Sequence, residues 1–186
     1  LLEFSLGKSN TTSTSSKTTY DYNQGNGKYD LINSLLTNDY QNTYGFLNTG
    51  FRFRKQTKTY NYSAGLSWQQ ADLEGKVISN LKDSVISKRF SNLLPNARFQ
   101  YYFSKFKNML VNYRTSTNQP NITQLQPVPD NSNPLYVKLG NPNLKQEFMS
   151  TLRVNASFVS PYKNRNFFVY LTARQTNNKI VNYDKI

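Results

Sequence analysis

The stretch Tyr60-Asn61-Tyr62-Ser63-Ala64-Gly65-Leu66-Ser67-Trp68-Gln69 decides the fold. Tyr60, Tyr62, Ala64, Leu66 and Trp68 are apolar or aromatic. The residues between them, Asn61, Ser63, Gly65, Ser67 and Gln69, are small or polar. Successive side chains of a β-strand point to opposite faces, so this period-two pattern describes a strand with one oily and one wet face. The pattern lasts for about the 9–11 residues that a tilted strand needs to cross a hydrocarbon layer.

The same pattern recurs along the chain. Residues 96–104 set Ala97, Phe99, Tyr101 and Phe103 against Asn96, Arg98, Gln100, Tyr102 and Ser104. Residues 108–115 set Met109, Val111 and Tyr113 against Asn108, Leu110, Asn112 and Arg114, and residues 151–158 set Leu152, Val154, Ala156 and Phe158 against Arg153, Asn155 and Ser157. Residues 43–54 alternate less cleanly, with Leu47, Phe51 and Phe53 opposite Asn48, Gly50, Arg52 and Arg54. Residues 167–175 begin apolar on both faces, and Leu2, Phe4 and Leu6 open one more strand. The count is about seven strands.

Connections also alternate in length. Short polar links lie at 55–58, 105–107 and 161–165, and long links at 9–42, 72–88 and 118–146. Tight turns at one end and long loops at the other mark an outer-membrane barrel, with the turns periplasmic and the loops extracellular. The first long loop is low in complexity over 11–19 and rich in Gly and Asn over 24–28, and residues 30–37 are expected to make a short helix.

Composition agrees with a membrane wall that is wet on one side. Hydrophobic residues make up 37% of the chain and aromatics 15%, with 14 Tyr and 12 Phe. A disordered chain would lack those aromatics. A barrel strand gives half its side chains to water and half to lipid. No window holds 18 uninterrupted apolar residues, so no transmembrane helix is expected, which says nothing against a barrel. The absence of Cys and His removes thiol nucleophiles, Cys/His metal sites and His-based acid–base chemistry. Asp72 with Glu74, and Asp21 with Asp30, fall in expected loops and form no convergent site. The chain is therefore expected not to be an enzyme and to need no cofactor or metal. The net charge of +13 is spread through strands and turns instead of forming a run, which argues for lipid headgroups or a lumen lining and against nucleic acid.

Residues 117–147 read TNQPNITQLQPVPDNSNPLYVKLGNPNLKQE. This resembles the PSI-x-QL-x-P … SNP … GNP-x-LKPE loop of outer-membrane barrels of the TonB-dependent receptor type, above all the Bacteroidetes branch. The resemblance runs through Pro120, Ile122, Gln124, Leu125, Pro127, Ser132, Asn133, Pro134, Gly140, Asn141, Pro142, Leu144, Lys145 and Glu147, and departs at Asn121 for Ser and Gln146 for Pro. Gly65-Leu66, Leu94-Pro95-Asn96 opening a strand, and Tyr113-Arg114 are also similar to that branch. It implies an all-β, antiparallel, up-and-down transmembrane barrel, with residues 1–186 as a segment of a larger one. A plug domain and the remaining strands are expected outside this chain. So is the natural C-terminus, because Asp184-Lys185-Ile186 lacks the aromatic ending of such barrels. The implied role is import of a nutrient, with outer-membrane lipid and lipopolysaccharide around the wall. A TonB complex and a surface lipoprotein would be engaged through parts not in this chain.

Candidate site residues follow from the strands and the loop. Arg52, Arg54, Arg98, Arg114 and Arg153 fall on the polar face and are expected to face the lumen. They either attract an anionic solute or pair with acidic groups of strands or plug, and the second reading is the better supported. Prolines 127, 129, 134 and 142 cannot donate to a ladder, so the long loop is expected to be compact and ordered. It caps the strands or faces a ligand, with the structural reading preferred. Asn131, Asn133 and Tyr136 are its candidate ligand-binding groups, suited to a sugar or a peptide. A non-transport binding module or an adhesin at the cell surface is the competing function.

Overall fold

A computed structural model describes residues 1–34, 37–79, 84–125, 130–133 and 136–182. The wall is one antiparallel sheet of seven strands. In chain order the strands are β1 (Leu2–Lys17), β2 (Tyr20–Asn23), β3 (Lys28–Ile32), β4 (Asn38–Gln56), β5 (Tyr60–Ser79), β6 (Ser84–Ser104), β7 (Lys107–Asn118), β8 (Asp130–Asn133), β9 (Tyr136–Lys138), β10 (Glu147–Ser160) and β11 (Arg165–Asn177). The sheet order is β1-β4-β5-β6-β7-β10-β11, while β2-β3 and β8-β9 are separate two-stranded hairpins inserted in long connections. Sequential wall strands pair, as an up-and-down meander requires and a Greek key does not. The sheet is open, with β1 and β11 as its edges.

Register fixes which residues share a face. Arg52 lies in one row with Glu3, Gly65, Asn96, Arg114, Thr151 and Arg174. The next row on the same face holds Arg54, Ser63, Arg98, Asn112, Arg153 and Thr172. Between them, on the opposite face, run Leu2, Phe53, Ala64, Ala97, Tyr113, Leu152 and Ala173. One face is thus aromatic and aliphatic, and the other carries the arginines. β11 departs from the division, because Phe168 and Tyr170 sit on the arginine face, as its mixed sequence suggests.

The strands are longer than the alternation implies. β4, β5 and β6 have 19, 20 and 21 residues. Residues 9–17 pair without interruption with 38–46, and residues 72–77 with 84–89, so both ends of each of two expected loops are ladder. The reason is visible on β5. Up to Trp68 the apolar residues are even-numbered; beyond it Gln70, Asp72, Glu74 and Lys76 occupy that face, while Ala71, Leu73 and Gly75 occupy the arginine face. The neighbours switch too: Arg89, Ser91, Thr43 and Gly45 lie on the first face, and Tyr44, Phe46 and Phe90 on the second. Amphipathicity inverts along continuous strands, and a search for one oily face stops at the inversion. The Ser/Thr run of β1 is extended for a second reason: β-branched Thr fits a pleated ladder, and Thr12 meets Thr43 across it, Oγ1 to Oγ1, at 3.4 Å.

Two further expectations are corrected. Residues 30–32 belong to β3 and pair with β2 in a hairpin whose turn has Gly27 at φ 69°, so the expected short helix over 30–37 is not formed there. The Gly- and Asn-rich turn closes the chain back too soon for a helix, and residues 35–36 lie outside the described residues. Pro95 does not open a strand but sits inside β6. Its carbonyl accepts from Thr115 Oγ1 at 2.8 Å, so its missing N–H also points towards β7. The β6–β7 ladder stops at Asn96↔Arg114, and β7 continues with β10 alone. A proline is tolerated mid-strand because it lies where one ladder ends.

Candidate functional site

Where β7 leaves β6, the long connection comes down onto the arginine face. It begins with a one-turn helix, α1 (Ile122–Leu125). Asn121 and Gln124 cap it reciprocally: Gln124 N donates to Asn121 Oδ1 at 2.8 Å, and Asn121 N donates to Gln124 Oε1 at 3.0 Å. This is a capping box with Asn in place of Ser, so the departure at Asn121 keeps the function of the motif. The helix presents Ile122 and Leu125, and with Pro120 they are buried. On the arginine face of β5, past the inversion, Ala71, Leu73 and Gly75 are buried. Ile122 lies against Gly75, where an added Cβ would lie 2.0 Å from its Cδ1. Burial of Ile122 and Leu125 is worth about 1.5–3 kcal/mol each.

Polar contacts set the position of the rest. Thr117 Oγ1 donates to Gln69 Oε1 at 2.6 Å, and Asn92 Nδ2 donates to Gln146 Oε1. The Gly140-Asn141-Pro142 turn closes on α1, with Asn141 N donating to Gln124 O at 2.6 Å. Asn141 Oδ1 accepts from Asn143 N at 2.9 Å. Glu147, first residue of β10, accepts from Asn118 Nδ2 at 3.0 Å and from Ile180 N at 2.7 Å. These two hydrogen bonds, Asn118 first, lower its carboxyl pKa, with a smaller contribution from nearby Lys179. The motif residues Pro120, Ile122, Gln124, Leu125, Asn141 and Glu147 thus share one task, which is to fold the connection over the arginine face and hold it there.

Arg52, Arg54, Arg98, Arg114 and Arg153 all fall in two adjacent rows of that face, joined by Arg174. Glu3 is the one carboxylate in those rows. The ion pair between Arg89 and Asp72, at 2.5 Å, belongs to the other face and lies past the inversion, where it lowers the Asp72 pKa. It is exposed and adds little stability.

Asn131, Asn133 and Tyr136 lie in the β8–β9 hairpin, where Asn133 pairs with Tyr136. Their side chains are outside the described residues, as are Pro127, Pro129 and Pro134 altogether. Sequence reasoning did not find the apolar patch formed by Phe46, Ala71, Leu73 and Phe90. The signal was available in the change of alternation phase after Trp68. Gln146, where the sequence departs from the family pattern, is buried and accepts from Asn92.

Residues 3–186 match the model of the outer membrane protein beta-barrel family. The chain belongs to that family. Its place is the bacterial outer membrane, and its seven-stranded antiparallel sheet is barrel wall. Among curated proteins none matches the chain. In this family's setting the two faces acquire distinct solvents, because an outer-membrane barrel is apolar towards lipid and polar within.

Proposed function

We propose that this chain forms part of the wall of a larger, TonB-dependent receptor of the Bacteroidetes type, which imports a nutrient and has no catalytic role. The aromatic face contacts lipid and lipopolysaccharide, and the arginine face lines the interior. The observation that carries the reading is the docked connection: the residues that resemble the receptor loop bury Ile122 and Leu125 against the arginine face, on the path a solute would take. Open edges at β1 and β11 support a larger barrel, because unpaired backbone groups are not tolerated in hydrocarbon. A plug, a TonB complex and a surface lipoprotein belong to the same reading, through parts beyond this sheet. The solute is a sugar or a peptide, held by Asn131, Asn133 and Tyr136 in the β8–β9 hairpin.

Deleting residues 126–139 from the full-length protein tests this. The docking contacts come from residues 117–125 and 141–147, so they remain, and a shorter loop costs little closure entropy. Barrel assembly, followed by the heat-modifiable gel shift, should survive while solute uptake falls. Unchanged uptake with lowered heat resistance would take the hairpin out of the solute's path and make it a structural cap.

A further inference from the structure

The short-turn end of the sheet is unlike the rest of the molecule in charge. It carries Lys55, Lys58, Lys105, Lys107, Lys163 and Arg165, all exposed. Residues 53–62, 99–109 and 156–169 contain no Asp or Glu, and Glu3, at the start of β1, lies opposite Arg52 on the arginine face. Carboxylates gather at the other end, where Asp72, Glu74 and Glu147 lie. On the lipid-facing side the order of residue types towards the short turns is the same on three strands. β4 reads Phe51, Phe53, Lys55; β7 reads Val111, Met109, Lys107; β11 reads Val169, Phe167, Arg165. Register confirms that these share the aromatic face, with Lys55 opposite Tyr62 and Lys107 opposite Phe158.

Between the aliphatic belt and the cations runs a continuous aromatic row. Ring centroids of Tyr101 and Phe103 are 4.8 Å apart, those of Phe103 and Phe158 5.8 Å, and those of Phe158 and Phe167 6.2 Å. Aromatic rings mark the depth of lipid carbonyls and headgroups, so cations one step further out stand at the depth of phosphate. Two open pockets lie at this rim. One, of about 340 Å³, is lined by Lys58, Thr59, Tyr102, Ser104 and Lys105. The other, of about 620 Å³, is lined by Leu1, Phe53, Arg54, Lys55 and Gln56. Tyr102 of the first lies on the arginine face, opposite Asn108, so that pocket is not on the lipid side, where the cations of the rim are Lys55, Lys107 and Arg165.

We infer that this rim is a binding site for the phosphate headgroups of anionic phospholipids in the leaflet at the short-turn end, with Lys55, Lys107 and Arg165 as its lipid-facing cations. The inference rests on the lipid-facing assignment made under Proposed function. Each lysine near an anionic surface contributes about fivefold in affinity, so a pair contributes roughly 30-fold. The site orders the barrel in the bilayer by gripping one leaflet at its turns.

The test uses the full-length protein in detergent, with retained phospholipid measured by native mass spectrometry. Phosphatidylglycerol should be retained in preference to zwitterionic phosphatidylcholine. Lys55→Gln with Lys107→Gln should weaken that retention roughly 30-fold, and the two Lys→Arg changes should preserve it. Lys17→Gln with Lys76→Gln, at the opposite end, should leave it unchanged, and the heat-modifiable shift should persist in every variant. Equal retention of the two lipids, or indifference to the Lys55/Lys107 pair, would overturn the inference. So would inorganic phosphate binding the rim as tightly as the lipid, which would assign it to a soluble anion. Quenching of Trp68 by brominated lipid, measured against Trp68→Phe, separates the two levels. Quenching without lipid preference sinks this site alone, and no quenching sinks the face assignment.

Discussion

Substituting Gly75 by alanine would place a methyl carbon 2.0 Å from Cδ1 and 2.2 Å from Cγ1 of Ile122. In an unobstructed strand the same change is favourable by about 0.5–1 kcal/mol, because glycine loses more backbone freedom on folding. The structure reverses the sign. Ile122 is buried at 5% exposure and cannot swing clear without giving up that burial, and overpacking of this kind costs about 1–3 kcal/mol. The net expectation is a loss of about 1–2 kcal/mol in the stability of the docked connection. Ile122→Ala alone should cost about 2–4 kcal/mol through lost burial and the cavity left behind. In the double variant the new methyl enters the space vacated by Ile122, so the combined cost should fall short of the sum by about 1–2 kcal/mol. Hydrogen exchange of peptides spanning residues 118–125, in the folded protein in detergent, reads the opening of this segment directly. Additive effects, or a Gly75→Ala variant with increased protection, would refute the placement of α1 on β5.

The two faces of β7 predict opposite tolerances. Val111→Arg should impair membrane assembly by about 2–4 kcal/mol near the midplane, whereas Asn112→Arg, between Arg98 and Arg153 in its row, should be mild. Refolding titrations scored by the gel shift compare them, and equal tolerance would count against a membrane wall. Glu147 supplies a pH dependence. Its hydrogen bonds hold its pKa below the ordinary 4.5, so their stabilisation is complete above that value and is lost as pH falls through the depressed folded pKa. Exchange protection at Ile180 should therefore decline in acid in the native protein. In Glu147→Gln it should be lower at neutral pH and flat through the same range.

The sequence showed the wall because each crossing repeats one local rule: side chains alternate, and lipid demands that one set be apolar. Tyr60 to Trp68 satisfies that rule unaided. It showed the docked connection only through likeness to a known loop, since nothing local in Ile122 or Leu125 says which surface will bury them. That surface is assembled from Phe46, Ala71, Leu73 and Phe90 on three strands, and it appears only once register is known. The strand extensions were missed for a related reason. Ser, Thr and Asn in β1 read as loop in isolation, yet they pair residue for residue with β4. Pro95 misled because proline's defect is one-sided, and sequence does not say which side of a strand has lost its neighbour.

A spin-label accessibility scan of β5 from Tyr60 to Lys76 in lipid bilayers tests the central claim most directly, with molecular oxygen as the apolar probe and a water-soluble nickel complex as the polar one. The account predicts oxygen access at Tyr62, Ala64, Leu66 and Trp68, giving way to nickel access at Gln70, Asp72, Glu74 and Lys76. It also predicts that Ala71, Leu73 and Gly75 are shielded from both by the docked connection. Oxygen access at Ser63, Gly65 and Ser67, or an alternation that runs from Tyr60 to Lys76 without changing character after Trp68, would contradict it.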